Sequence, residues 1–146
     1  MIIRKFKDAD KTQVMNIWLQ TNISAHSFIP FSYWQSNFST VSDALSKADV
    51  YVCENHKGII SGFIGIIATY IAGLFVAAGF QSCGIGKQLL DYAKTRHSSL
   101  SLCVYHKNEK AVRFYLREYF TILESRMDEK TGERELLMVW HQAKCK

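Results

Sequence analysis

Between Ile59 and Phe80 the chain reads IISGFIGIIATYIAGLFVAAGF, a stretch without a single charge. As one helix it would be long enough to cross a bilayer. Its residue choice argues otherwise: Gly62, Gly65, Gly73 and Gly79 interrupt it, Ile, Val, Phe and Thr dominate it, and Thr69-Tyr70 splits it in two. Glycine weakens a helix interior, whereas apolar runs rich in β-branched residues suit strands covered on both faces. The run is therefore read as two buried strands joined by a short turn, with no membrane span. Strands of this kind need helices on both sides of their sheet.

The flanking sequence supplies them. Ile2 to Phe6 reads as a first strand, followed by the helix DADKTQVMNIWLQTN with Asp8 or Asp10 at its N-cap and Val14, Ile17 and Trp18 on one face. A loop carrying HSFIPFSYW and the only proline, Pro30, leads to a second helix, WQSNFSTVSDALSKA. VYVCEN and IISGFIGIIAT form a hairpin, and IAGLFV is the next strand. Then come a helix over 84–97, the strand SLSLCVY, the helix NEKAVRFYLREY, and a final hairpin of FTILESRM and RELLMVWH. The fold class is α/β (α+β), one mixed sheet with helices on its faces. With 146 residues, 48% of them hydrophobic, a single domain over 1–146 is expected. The opening MIIRKFKDADK is too short in apolar residues for a secretion signal, so the expected setting is cytoplasmic. Cys53, Cys83, Cys103 and Cys145 show neither zinc-ligand spacing nor a CxxC pair, so they are taken as free thiols and no metal is expected.

QSCGIGK, Gln81 to Lys87, lies where an extended segment hands over to a helix. Paired glycines admit a close backbone approach, and the helix start offers free N–H groups to an anion. A P-loop would place lysine directly after the second glycine of Gly79-x-x-x-x-Gly84, but Ile85 stands there. A dinucleotide fingerprint would need a third glycine where Leu89 stands. The pattern that fits is Q-x-x-G-x-G, with Gln81, Gly84 and Gly86. Downstream follow the strand LCVYHKN with Asn108, and then Ala111, Phe114, Tyr115 and Phe120 in A-x-x-F-Y-x-x-x-x-F.

In this order and spacing the motifs resemble the GNAT superfamily of acetyl-CoA-dependent N-acetyltransferases. The resemblance rests on residues 50–140. It implies a mostly antiparallel central sheet of about seven strands with about four helices, whose splayed strand pair forms the acetyl-CoA cleft. It also implies that acetyl-CoA is the cosubstrate. The N–H groups around Ser82, Cys83, Gly84, Ile85, Gly86 and Lys87 would face the pyrophosphate, with any side chain at Gly84 or Gly86 crowding that approach. Leu74, Phe75 and Val76 would offer backbone groups to the thioester and pantetheine arm, with a bulge parting their strand from the next. Asn108 matches the family residue that bonds the pantetheine arm, and as a helix N-cap it would serve both ends. Tyr115 aligns with the tyrosine that protonates the departing thiolate; a plain core aromatic would occupy the same position. Lys87, Lys107 and Lys110 are placed to screen phosphates, or simply form a solvated basic face.

Two departures stand out. Tyr119 occupies the glycine position that ends the family's last helix. No acidic residue occurs between Glu54 and Asp91, so the strand that often supplies a carboxylate base has none. His26, taken as an exposed loop residue, is the remaining titratable candidate, with Tyr70 as a further participant and a water chain to bulk solvent in their place if neither serves. The acceptor is expected to be an amine, on a protein lysine or a small molecule, beside the aromatic loop of His26, Phe28, Ile29, Phe31, Tyr33 and Trp34. The net charge of +5 disfavours aminoglycosides and polyamines as acceptors, and it leaves aminoacyl-tRNA open. A catalytically weak acyl-CoA sensor would carry the same glycine loop, whereas a nucleic-acid-binding protein is least suited to the dispersed lysines. Monomer and homodimer both fit.

Overall fold

From the N-terminus the computed structural model describes residues 1–143, and Cys145 lies outside the described residues. The elements are β1 (Ile2–Lys5), a 3₁₀ turn (Asp8–Asp10), α1 (Lys11–Ala25), α2 (Phe31–Ala44), β2 (Asp49–Glu54), β3 (Ile60–Ile67) and β4 (Tyr70–Val76). After a second 3₁₀ turn (Ala78–Phe80) follow α3 (Ile85–Arg96), β5 (Ser99–Tyr105), α4 (Glu109–Arg117), β6 (Thr121–Asp128) and β7 (Glu133–His141). The strands form one sheet in the order β1-β2-β3-β4-β5-β7-β6, antiparallel except where β4 meets β5. The expected class and element order hold.

The uncharged run is the hairpin β3–β4, turning at Ala68-Thr69. β3 shows why it needs no charge: Ile64 and Ile66 belong to one buried cluster, Ile60 and Phe63 to another. On one face α3 and α4 press Leu89, Leu90, Ala93 and Tyr115 against Ile64, Leu100, Leu102 and Met138. On the other, α1 and α2 bring Val14, Ile17, Trp18 and Trp34 to Val50, Val52 and Phe63. Each fully covered aliphatic side chain contributes about 1.5–3 kcal/mol relative to exposure.

Two local expectations change. α2 starts at Phe31 and ends at Ala44, ahead of the expected Trp34 to Ala48, because Pro30 stands at its N-cap with φ −58° and ψ 142°. Proline fits the start of a helix, where the missing N–H has no partner to lose. Asp10 precedes α1, but its carboxylate does not cap that helix. It turns back to accept from the Lys7 N–H and from the Arg4 guanidinium, which also reaches Glu54. The Arg4 guanidinium and the Lys7 N–H hold the Asp10 carboxyl below the usual range, despite its burial.

The corner after α4 is strained, as the missing glycine suggested. Tyr119 adopts φ +72° while the Phe120 N–H bonds the Tyr115 carbonyl at 3.0 Å. Lys94 stabilises the corner: its Nζ donates to the Glu118 carbonyl at 2.6 Å and lies over the Tyr119, Phe120 and Trp140 rings. Tyr119 is 79% exposed, so its side chain gains little from packing. Replacing it with glycine removes left-handed strain and adds unfolded-chain entropy, for an expected net gain of about 0.5–1 kcal/mol. Urea unfolding of Tyr119→Gly checks this; a loss of stability would mean that the Lys94–Tyr119 contact outweighs the strain.

Candidate active site

β4 and β5 meet at one position. Tyr70 pairs with Ser101, and the Ser101 N–H bonds the Thr69 carbonyl at 3.0 Å; beyond this the two strands do not pair. A cleft of about 810 Å³ fills the opening, walled by Leu74 to Val76, the glycine loop, the start of α4 and the end of α1. The Ala77 N–H bonds Ser61 at 2.8 Å, so by antiparallel alternation Phe75 also faces β3. The N–H groups of Leu74 and Val76 therefore point into the gap. The Val76 carbonyl is taken by Gln81 Nε2 at 3.2 Å, which gives Gln81 a loop-holding role.

The bulge lies earlier than expected and on the other side of β4. Gly65 opposes Gly73 and Ile66 opposes Ile71, so Ala72 is the extra residue, and it faces β3 rather than parting Leu74 to Val76 from β5. It changes the frame of the strand. Ile71, Leu74 and Val76 all pack on the α3/α4 side, and Phe75 packs on the α1/α2 side.

Gly84 is the N-cap of α3 at φ +81°, without a side-chain cap, and the first helical bond runs from the Gln88 N–H to its carbonyl at 3.0 Å. Ile85, Gly86 and Lys87 thus present N–H groups with no helical partner, and the helix dipole adds about 0.3–1 kcal/mol per bound charge. Ser82 shares the left-handed conformation at φ +64°, and Cys83 is exposed. Against the protein's own atoms, both glycine positions have room for a Cβ. A Cβ on Gly84 would meet nothing within 4 Å; its φ is what demands glycine. A Cβ on Gly86 would stand in ordinary contact, 3.6 Å from Phe114 and 3.7 Å from Val76, both of which line the cleft. Only a larger side chain there intrudes.

Lys87 lines the cleft, and its ammonium pairs with Glu118 at 3.0 Å and Asp91 at 3.2 Å. Lys107 pairs with Glu133 and lies over the Phe28 ring. Nothing in the sequence singles out Glu118; sitting before the corner, it fixes Lys87.

Tyr115 borders the cleft from α4, 8% exposed, its ring edge-on to Phe114 and Phe120, and burial pushes its phenol above the usual range. A protonated phenol is thereby assured near neutrality.

His26 is not an exposed loop histidine. Its ring stacks on Trp34 at 5.3 Å and meets Phe28 and Tyr105 edge-on, and it lines the cleft opposite the start of α4. Its Nε2 lies 3.2 Å from Asn108 Nδ2, while Asn108 Oδ1 accepts from the Ala111 N–H at 3.3 Å. Burial lowers the imidazole pKa from 6.5 to about 4, the Asn22 backbone drawing it up only weakly. Trp34 belongs to the aromatic loop read from HSFIPFSYW, whereas Tyr105, at the end of β5, has no sequence signal linking it to His26. Tyr70 lies at the strand junction with its phenol pushed upward by burial and by the neighbouring Cys103.

Residues 46–122 match the family model of the acetyltransferase (GNAT) domain. Over 141 residues the chain is 33% identical to peptidyl-lysine N-acetyltransferase YiaC of Escherichia coli K12, covering 95% of this chain and 96% of YiaC. The chain belongs to the GNAT acetyltransferase family. It is 25% identical to peptidyl-lysine N-acetyltransferase YjaB of the same strain, over 82% of each chain. The solution structure of apo YjaB from Escherichia coli shares the fold, with a TM-score of 0.85 at 23% identity over 98% of this chain and 100% of that one. As a GNAT acetyltransferase the protein is an acyltransferase whose cosubstrate is acetyl-CoA. Among the described residues no helix is long and apolar enough to cross a membrane.

Two outcomes are expected. Gly86→Val, which fills the cleft beside Phe114, abolishes acetyl-CoA binding by calorimetry while circular dichroism stays native. Because the folded-state pKa of His26 lies below its unfolded value, its share of stability is complete above about pH 6.5 and is lost as pH falls toward 4. Thermal unfolding against pH should therefore be shallower in His26→Gln across that window, and identical slopes would contradict the burial argument.

Proposed function

We propose that this acetyltransferase moves the acetyl group to the side-chain amine of a protein lysine by direct attack within the cleft. The observation that carries this acceptor is the similarity to YiaC along nearly the whole chain. The setting we assign is the cytoplasm, as a monomer or homodimer.

The pyrophosphate of acetyl-CoA lies at the N–H groups of Ile85 to Lys87, and its arm runs along Leu74 to Val76 as a surrogate for the missing strand pairing. The neutral amine attacks the thioester carbon; a C–N bond forms while the carbonyl electrons move to oxygen, where strand N–H groups stabilise them. As the carbonyl reforms, the C–S bond breaks and Tyr115 gives its proton to the leaving sulfur. The attacking nitrogen must also lose a proton. With its Nε2 lone pair taken up by the Asn108 amide, His26 has no free site for that proton, which passes instead through a water chain to bulk solvent.

Tyr115→Phe is expected to lower kcat roughly 10²-fold with little change in acetyl-CoA affinity. If the melting temperature falls and kcat per folded molecule does not, Tyr115 acts only in the core. Turnover of acetyl-CoA across lysine peptides, small amines and aminoacyl-tRNA tests the acceptor. Preference for either of the latter two would replace lysine, and absence of turnover with retained binding would mark an acyl-CoA sensor.

A further inference from the structure

The contact between His26 and Asn108 joins residues from opposite walls of the cleft, the end of α1 and the start of α4. Both partners are held firmly. The His26 N–H bonds Asn22 at 3.0 Å, its carbonyl accepts from the Ile29 N–H at 3.0 Å, and its ring is clamped by Trp34, Phe28 and Tyr105. Asn108 donates its own N–H to Tyr105 at 2.9 Å and accepts from the Val112 N–H at 3.1 Å.

The chemistry of the amide fixes every proton. The Ala111 N–H can only meet an acceptor, so the Asn108 atom facing it is Oδ1 and the one facing His26 is the NH₂ group. His26 Nε2 must then accept, which leaves the ring proton on Nδ1. That atom and Trp34 Nε1 are the buried side-chain polar atoms without a partner among the described residues, and both belong to the stacked pair. Neither donor reaches hydrogen-bond geometry, the Asn22 backbone drawing on the imidazole only weakly, and the fold tolerates that cost in stability to keep this ring in place. The amide has two hydrogens. One is held by His26, and the second is free for a carbonyl in the cleft.

We propose that His26 is a positioning residue: its Nε2 orients the Asn108 amide so that the second amide hydrogen meets an amide carbonyl of the pantetheine arm. The acceptor-side loop is thereby tied to the cofactor wall, and acetyl-CoA affinity depends on a side chain that need not touch the reacting atoms. This rests on Asn108 serving the acetyl-CoA arm, which the Asn108→Ala variant tests separately.

The experiment measures acetyl-CoA Kd and steady-state kinetics for wild type, His26→Gln, His26→Leu, Asn108→Ala and His26→Leu/Asn108→Ala, with folding checked by circular dichroism. Glutamine keeps an acceptor and leucine does not. His26→Leu should weaken acetyl-CoA binding about 5–10-fold with kcat at saturation nearly unchanged, and His26→Gln should stay within about twofold of wild type. The double variant should be no weaker than Asn108→Ala alone. Equal loss of kcat in both His26 variants at unchanged Kd would make His26 a base and overturn the proposal, as would additive losses in the double variant. Wild-type binding that is indifferent to Asn108→Ala would remove the underlying assignment of Asn108 instead, and the proposal with it. Imidazole ¹⁵N shifts in the wild-type protein need no variant to fold: a protonated Nδ1 with an accepting Nε2 is required, and the opposite tautomer would refute the proposal.

Discussion

The abandoned pairing between β4 and β5 is what the rest of the structure depends on. Past Tyr70 and Ser101 the two central strands keep their outer partners but not each other. Buried backbone groups without partners are costly, so such a gap persists only where something else can satisfy them. The flanking elements bring what a long polar ligand needs. The uncapped start of α3 stands at one end, the Leu74 and Val76 N–H groups line the side, and α4 supplies Asn108 and Tyr115 across from them. Helices on both faces keep the sheet rigid while its middle is open.

Much of this is legible in the chain because local chemistry determines it. Four glycines and a wealth of β-branched residues mark the uncharged run as strands, and Gln81, Gly84 and Gly86 mark the loop that borders the cleft, with Asn108 and Tyr115 at their distances downstream. Tyr119 at the family's glycine position leaves open a corner built differently or one under strain, and the chain takes the strained, left-handed form. Contacts between distant segments are what the sequence hides. Nothing near His26 in sequence announces Asn108, and the difference between an exposed histidine and one stacked on Trp34 depends on how α1 and α2 cross the sheet. Lys87 reads as a phosphate ligand because its neighbours in sequence are the loop; Glu118, its partner in space, comes from the end of α4. A bulge is expected near Leu74 to Val76 because the gap is there, yet it sits on the side that still pairs.

Electrostatics in the site are arranged by burial more than by ion pairs. Two titratable groups that line the cleft, His26 and Tyr115, are both pushed toward their neutral forms, upward for the phenol and downward for the imidazole. Neutral side chains at these two positions suit a reaction whose charges are transient, an oxyanion and a thiolate that must be quenched rather than stored. The charges along the cleft are paired, Lys87 with Asp91 and Glu118 and Lys107 with Glu133, and they brace its walls.

Ala72 gives β4 two reading frames. Before it, even and odd positions address one assignment of core faces; after it, the assignment is exchanged, which is how Ile71 and Leu74 come to lie on the same side. The length of this strand is therefore a stricter requirement than its composition. A conservative apolar exchange at Leu74 or Val76 leaves the frame intact, but deleting one residue would turn Phe75 into the face that packs α3 and rotate the two free N–H groups away from the gap. Among natural or engineered variants of this chain, indels should be far rarer between Tyr70 and Val76 than point changes, and where one occurs it should be matched by a compensating change within the same strand.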